Sequence, residues 1–331
     1  MKTALVLGAG FSFVAGLPLV NGLFDTSVFV GSQGANARFR QVWNEWESWS
    51  ARNPTLGPEQ FLEACYRQTH EFQLGDQLLA PWPHVVEVVA ATLATPRGDD
   101  YPVIRSPRYA GRITVEVRSN VHRQFWLHAF GSYDLHAVVT TNYDVLIERG
   151  MRHRPFVTKP HRGFYYGGFP RPQQLKGHAQ PWTVKDPQRL VEPSGEVPLY
   201  KLHGSLSWSF ESGRLVMYQD CRPAFRSKHT AAIVPPLPEK SCPEWLHGIW
   251  RGASDHLSEC SHWIVCGYSL PDYDEALKEL FLGASSAVQE VWVLDPNSQS
   301  DVGDRWQSVA PRATIRRGPG LPEALSVCAE W

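Results

Sequence analysis

The sequence predicts an α/β protein built on an open parallel sheet, with a run of helices inserted between its first two strands. Three observations lead there. Four short apolar, β-branched runs, at residues 4–7, 137–141, 263–266 and 291–294, read as strands buried on both faces, and each ends in polar or glycine-rich residues. The first runs straight into Gly8-Ala9-Gly10-Phe11-Ser12, a strand entering a tight turn ahead of a helix. Between the first two runs, over residues 29–130, the readable periodicity is helical.

At the first strand end, Gly8 and Gly10 permit backbone angles closed to other residues and let a phosphate approach the main chain. The helix that follows offers its amides and positive dipole end to such an anion. The spacing departs from GxGxxG, because Phe13 stands where the third glycine belongs and the next is Gly16. A dehydrogenase also places an acidic residue at the end of a second strand about 20 residues on. Only Asp25 is near, and no strand leads into it, which disfavours hydride transfer. The apolar stretch behind Lys2, residues 4–24, imitates a signal peptide or membrane span, but four glycines and Pro18 interrupt it and no other long apolar run follows.

Within the insertion, Phe39, Val42, Trp43, Trp46 and Trp49 predict a helix over 38–49, and Phe61, Leu62, Cys65 and Tyr66 predict another over 58–68. A third is expected over 115–130. The triplet-spaced Trp43, Trp46 and Trp49 share one face, which packs on the chain's own sheet or makes a contact between subunits.

The strand at 137–141 leads into Thr140-Thr141-Asn142-Tyr143-Asp144, so Asn142 and Asp144 emerge where a ligand of a parallel sheet is touched. An amide orients a hydroxyl or water and a carboxylate accepts from an amide, though Asn and Asp after a strand also serve as turn formers. Residues 156–197, rich in Pro, Gly and aromatics, read as loop with short strands. Residues 199–202 form a further strand that delivers His203 to the same edge. Its near-neutral pKa suits proton transfer, and a lone His before a glycine is also a common structural residue. An extended piece at 231–234, stopped by Pro235 and Pro236, and a helix over 245–260 complete the reading.

Composition narrows the class. A net charge of −1 over 331 residues gives no general attraction to nucleic acid, and Arg316-Arg317 is a short, solvated cluster. The six cysteines, Cys65, Cys221, Cys242, Cys260, Cys266 and Cys328, include no CxxC pair, which fits reduced thiols and a cytoplasmic protein without structural zinc. The 13 tryptophans are expected to serve packing. No repeat or composition break calls for a second unit, so 1–331 is read as one domain with 29–130 inserted in it.

In order along the chain, GAGFSFVAGLP, TTNYD, His203-Gly204, GYSL at 267–270 and VWVLDPN resemble the sirtuins, whose usual motifs are GAGxSxxxGIPxFR, TQNID, HG, GTSL and a strand ending in Asn. The resemblance implies a Rossmann-like parallel sheet of the sirtuin type. Sirtuin deacylases follow HG with two CxxC pairs, absent here, and the FR of their first motif is replaced by Leu19-Val20-Asn21-Gly22-Leu23. Those departures, with GLPLVNGLF and IVPPLPEK, resemble the NAD-hydrolysing sirtuin-like proteins of bacterial antiphage defence. Such a relationship implies NAD as substrate, no metal, and cleavage to nicotinamide and ADP-ribose. The alternatives are a deacylase or ADP-ribosyltransferase, and a non-catalytic sensor of NAD or ADP-ribose. It also implies site roles. Gly8, Ala9, Gly10 and Ser12 hold the pyrophosphate; Asn142 and Thr141 lie by the nicotinamide ribose, with Thr141 standing where the family has Gln. Asp144 holds the carboxamide and His203 acts as the base. Gly267, Ser269, Asp295 and Asn297 take the adenosine side. Partners implied are further copies of the chain, a ring ATPase or an Argonaute-type protein, with neither nucleic acid nor membrane.

Overall fold

A computed structural model of the 331-residue chain describes residues 1–14, 16–24, 37–70, 79–94, 104–105, 113–114, 120–148, 164–169, 182–183, 197–211, 214–217, 231–235 and 243–326. In chain order the strands are β1 (Lys2–Leu7), β2 (Ile104–Arg105), β3 (Ile113–Thr114), β4 (Asp134–Thr140), β5 (Phe164–Tyr166), β6 (Trp182–Thr183), β7 (Val197–Lys201), β8 (Gly204–Glu211), β9 (Arg214–Met217), β10 (Ala231–Ile233), β11 (His262–Cys266), β12 (Glu290–Leu294) and β13 (Thr314–Gly318). The α-helices are α1 (Ala9–Phe13), α2 (Ala37–Arg52), α3 (Pro58–His70), α4 (Trp82–Ala94), α5 (Asn120–Ser132), α6 (Glu244–Ser258), α7 (Glu275–Ala284), α8 (Asp301–Val309) and α9 (Leu321–Ser326).

The main sheet has seven strands in the order β13-β12-β11-β1-β4-β7-β5, and every neighbouring pair is parallel. The fold is α/β and Rossmann-like. Ala4, Leu5, Val6 and Leu7 of β1 are all buried. Since successive side chains of a strand point to opposite faces, both faces of its centre are covered. From β1 the chain first builds outward through β4, then returns to the other side of β1 with β11, β12 and β13. Strand order therefore reverses at β1, and the crevice beyond its carboxyl end is where an open α/β sheet takes a ligand.

Around that sheet the aromatic residues fill the layers. Phe11 packs edge-on against Phe125 and Trp126 of α5, and Phe281 of α7 joins Trp263 of β11 to Trp306 of α8. The tryptophan stripe of α2 turns inward. Trp46 stacks on Phe24 with centroids 5.0 Å apart, Trp49 is buried, and both meet Phe61 of α3. The face thus packs within the chain, but against Phe24 and α3 and not on the sheet as expected.

Several elements differ from expectation. The third helix of the insertion begins at Asn120 among the described residues, and residues 115–119 lie outside them. Helix α4 was not expected: Val85, Val86, Val88 and Val89 are buried together, so no 3.6-residue stripe marks it. A four-stranded antiparallel sheet, β10-β8-β9-β6, was not expected: β6 falls in the stretch read as loop with short strands and β10 in the short extended piece, while β8 and β9 follow His203 where no strand was read. Asp25, residues 29–36, Cys221, Cys242, Cys328 and most of 156–197 lie outside the described residues. Among the described residues no helix is long and apolar enough to cross a membrane, and no group of three or more His, Cys, Asp or Glu is placed to hold a metal ion.

The two halves of the sheet meet backbone to backbone. Gly8 N donates to Cys266 O at 3.1 Å and Gly10 N to Gly267 O at 2.8 Å. A Cβ on Gly8 would stand 2.5 Å from Tyr268 Cβ and 2.6 Å from Gly267 O, none of which can swing aside. Gly8→Ala is therefore expected to lower stability by about 1–3 kcal/mol through overpacking. A urea midpoint equal to wild type would contradict this close approach.

Candidate functional site

A cavity of about 800 Å³ opens where β1, β4, β7, β11 and β12 end. Of the residues singled out in the sequence, Ala9, Gly10, Ser12, Thr141, Asn142, Asp144, His203, Gly267, Ser269, Asp295 and Asn297 line it. Gly8 lies immediately behind, with its carbonyl bonded to Asn142. The amides of Gly8 and Gly10 are both spent within the fold, so these two glycines serve the β1–β11 contact as well as any ligand.

Asn142 is held by its own donors. Its Nδ2 donates to Gly8 O at 2.8 Å and to Ser12 Oγ at 2.9 Å, while its backbone N–H is capped by Thr140 Oγ1 at 3.0 Å. Gly8 O only accepts, which fixes the amide's orientation and leaves Oδ1 without a donor among the described residues. Ser12 Oγ passes its proton on to Asp144 Oδ2 at 2.7 Å, and Asp144 Oδ1 accepts from Leu146 N at 2.9 Å. Behind this turn Lys201, 0 % exposed, bonds Asp144 O and Glu148 Oε1, the latter at 3.0 Å and shared with the Tyr166 hydroxyl.

Strand β7 delivers His203, and Val234 N clamps its carbonyl at 2.9 Å. The ring is 6 % exposed and lies 6.2 Å from that of Tyr143, whose hydroxyl donates to Val234 O. Among the described residues neither ring nitrogen has a hydrogen-bond partner. Burial pushes the imidazole pKa below its ordinary 6.5, opposed by the Asp274 carboxylate, so the ring is neutral at pH 7 and able to accept a proton.

On the opposite side, β11 ends in a strained turn. Gly267 has φ +63°, and Leu270, buried, has φ +49°, a left-handed angle rare for a branched side chain. Arg305 Nε donates to Ser269 O at 2.8 Å and Trp306 Nε1 to Tyr268 O at 3.1 Å, which hold that turn against the strain. Asp295 Oδ1 accepts from Asn297 N at 2.8 Å at the end of β12.

The sequence model of the SIR2-like domain matches residues 136–310, over half of the chain. The chain belongs to the SIR2-like family. Its solved structural neighbours include a Sir2 homologue complexed with 2'-O-acetyl ADP ribose (13% identity, TM-score 0.47, covering 99% of this chain and 90% of that one). A Sir2 homologue complexed with NAD has 14% identity and TM-score 0.45 over 99% and 87% of the two chains. No curated protein matches significantly.

In this SIR2-like site, sequence reading missed one wall. Glu59 and Leu62 of α3, Tyr143, Tyr268, Pro271, Tyr273 and Asp274 all reach the cavity. Tyr268 donates to Asp274 Oδ2 at 2.6 Å, and burial raises the Glu59 pKa against the opposing influence of the Tyr273 hydroxyl. Asp272-Tyr273-Asp274, following GYSLP, was a readable polar turn at a strand end, whereas nothing local marks Glu59. The lining holds the carboxylates of Glu59, Asp144, Asp274, Asp295 and Glu323 and no Lys or Arg among the described residues.

Proposed function

We propose that the chain is an NAD+ glycohydrolase, cleaving the nicotinamide–ribose bond to give nicotinamide and ADP-ribose. The observation that carries this is the convergence, in one cavity rich in carboxylates, of a fixed Asn142 Oδ1, the Asp144 carboxylate and a buried His203 ring that has no hydrogen-bond partner among the described residues. Breaking the C1′–N1 bond develops positive charge on the ribose while the pyridinium becomes neutral nicotinamide. Negative walls without a competing cation favour that charge in a partly desolvated site.

The residues divide the work. Asp144 takes the carboxamide NH2, and Asn142 Oδ1 accepts from the attacking water and aims it at C1′. Neutral His203 accepts from a ribose hydroxyl and polarises it. Ala9, Gly10 and Ser12 border the pyrophosphate; Thr141 borders the nicotinamide ribose, and Gly267, Ser269, Asp295 and Asn297 the adenosine. Nicotinamide leaves with the bonding pair, the water oxygen bonds C1′, and one proton is released per turnover. Resemblance of the GLPLVNGLF segment to antiphage proteins supports depletion of cytoplasmic NAD as the purpose, with self-association or a second protein as the restraint. We read residues 1–331 as one domain with its helices inserted at 29–130.

Purified protein incubated with NAD alone is expected to release nicotinamide and ADP-ribose in equal amounts, followed by chromatography. Cleavage that needs an acylated peptide or another acceptor would favour the transferase alternatives instead.

A further inference from the structure

We propose that Asp295, with Glu323 beside it, selects the nucleotide: the cavity takes a dinucleotide whose second ribose keeps its 2′-hydroxyl, as in NAD, and refuses one that carries a 2′-phosphate, as in NADP. This rests on the hydrolase reading above and narrows the substrate class of the same site.

Strand order fixes where Asp295 stands. His203 follows β7 and Asp295 follows β12, four strand spacings away in the order β12-β11-β1-β4-β7, which is about 19 Å across a sheet at ~4.8 Å per strand. Leu294 pairs with Cys266, and Gly267 N donates to Leu294 O at 3.1 Å, so Asp295 stands beside the Gly267 turn. Gly267 in turn abuts Gly10, whose added Cβ would lie 2.7 Å from Gly267 Cα. With the bond to be broken between Asn142 and His203, at the β4–β7 end, and the pyrophosphate at Gly10, the ribose beyond the pyrophosphate falls at the ends of β11 and β12.

Asp295 is 9 % exposed and lines the cavity. Asn297 N holds its Oδ1 at 2.8 Å, while Oδ2 has no hydrogen-bond partner among the described residues. A carboxylate oxygen accepts and cannot donate, so its complement in a ligand is a hydroxyl. A 2′-phosphate instead brings a charge of about −1.5 to −2 and acceptor oxygens, and meets a like charge. Glu323 adds to that repulsion. A Cβ on Gly320 would stand 3.0 Å from Pro296 Cγ and 3.4 Å from Glu323 Oε2, which puts the second carboxylate against the residue that follows Asp295. No Lys or Arg lines the cavity among the described residues to offset the two. The arginines of this flank are committed elsewhere: Arg305 to Ser269 O at 2.8 Å and Asp301 at 2.7 Å, and Arg317 to Asp304 at 2.6 Å. The pyrophosphate is spared the same repulsion by distance, since two strand spacings, about 10 Å, separate β1 from β12.

Asp295→Asn keeps the bond from Asn297 N, because the amide oxygen still accepts, and presents an NH2 where the carboxylate oxygen stood. By calorimetry wild type is expected to bind NADP at least about 100-fold more weakly than NAD, with nicotinamide release at low substrate falling in the same ratio. Asp295→Asn should narrow that ratio about tenfold or more, chiefly through tighter binding of NADP, and Glu323→Gln added to it should narrow it further. An Asp295 that served only the turn would weaken both nucleotides alike and leave the ratio standing. Equal binding of NAD and NADP by wild type, or a ratio unmoved in variants that melt as folded proteins, overturns the assignment and spares the hydrolase reading. A wild type that prefers NAD and never cleaves it overturns the hydrolase reading and leaves the assignment in place, and one that binds neither nucleotide overturns both.

Discussion

Asn142→Ala is expected to reduce NAD cleavage by about 100- to 10,000-fold, because the group proposed to aim the water is lost along with its fixed orientation. Its effect on folding should be smaller. Gly8 O and Ser12 Oγ lose a donor, which costs about 1–3 kcal/mol for a buried acceptor. Asn142→Asp is a sharper probe, since it retains the shape but sets a carboxylate against Gly8 O. His203→Ala should give a loss of similar size to Asn142→Ala. It should also remove a pH effect on stability: with the folded pKa below 6.5, the unfolded chain binds the extra proton first, so stability rises with pH through that window. Steady-state rates beside thermal melts check both; folded variants with full activity would remove these residues from the mechanism.

The second large effect lies beneath the site. Lys201→Met leaves the Glu148 carboxylate, 2 % exposed, without its cation and frees Asp144 O. Breaking one partner of a buried pair costs about 3–5 kcal/mol, so the urea midpoint should drop steeply. Adding Glu148→Gln should recover much of it, because Gln is neutral and still accepts from the Tyr166 hydroxyl. No recovery in the double variant would mean that Lys201 acts chiefly through the Asp144 turn, and NAD turnover would then fall in parallel.

The parts of the fold that were legible are those where burial writes a plain pattern. Strands covered on both faces must be apolar throughout, so β1, β4, β11 and β12 stand out as runs. Edge strand β13 does not, because Arg316 and Arg317 look outward to Glu290 and Asp304 and read as a solvated charge cluster. Helix α4 hides for the opposite reason, its valines being buried on several sides. In the site, residues at strand ends were found because topology brings strand ends together. Glu59 reaches the cavity from a helix far from any motif, and only tertiary packing places it there.

Strand β1 is the hub of the sheet, with Leu7 opposite Thr140 on one side and Cys266 on the other. Both partners are distant along the chain, and such long-range parallel pairing makes for slow folding. It also sets an order of assembly during translation. Asn142 and His203 are made well before Gly267, Asp274 and Asp295, and at about 5–20 residues per second the lag to Asp295 is on the order of ten seconds. Until β11 leaves the ribosome, one flank of β1 is bare and one wall of the cavity does not exist. On the hydrolase reading proposed above, an unfinished chain is expected to be silent, and a premature stop before β11 to yield a fragment without NAD cleavage.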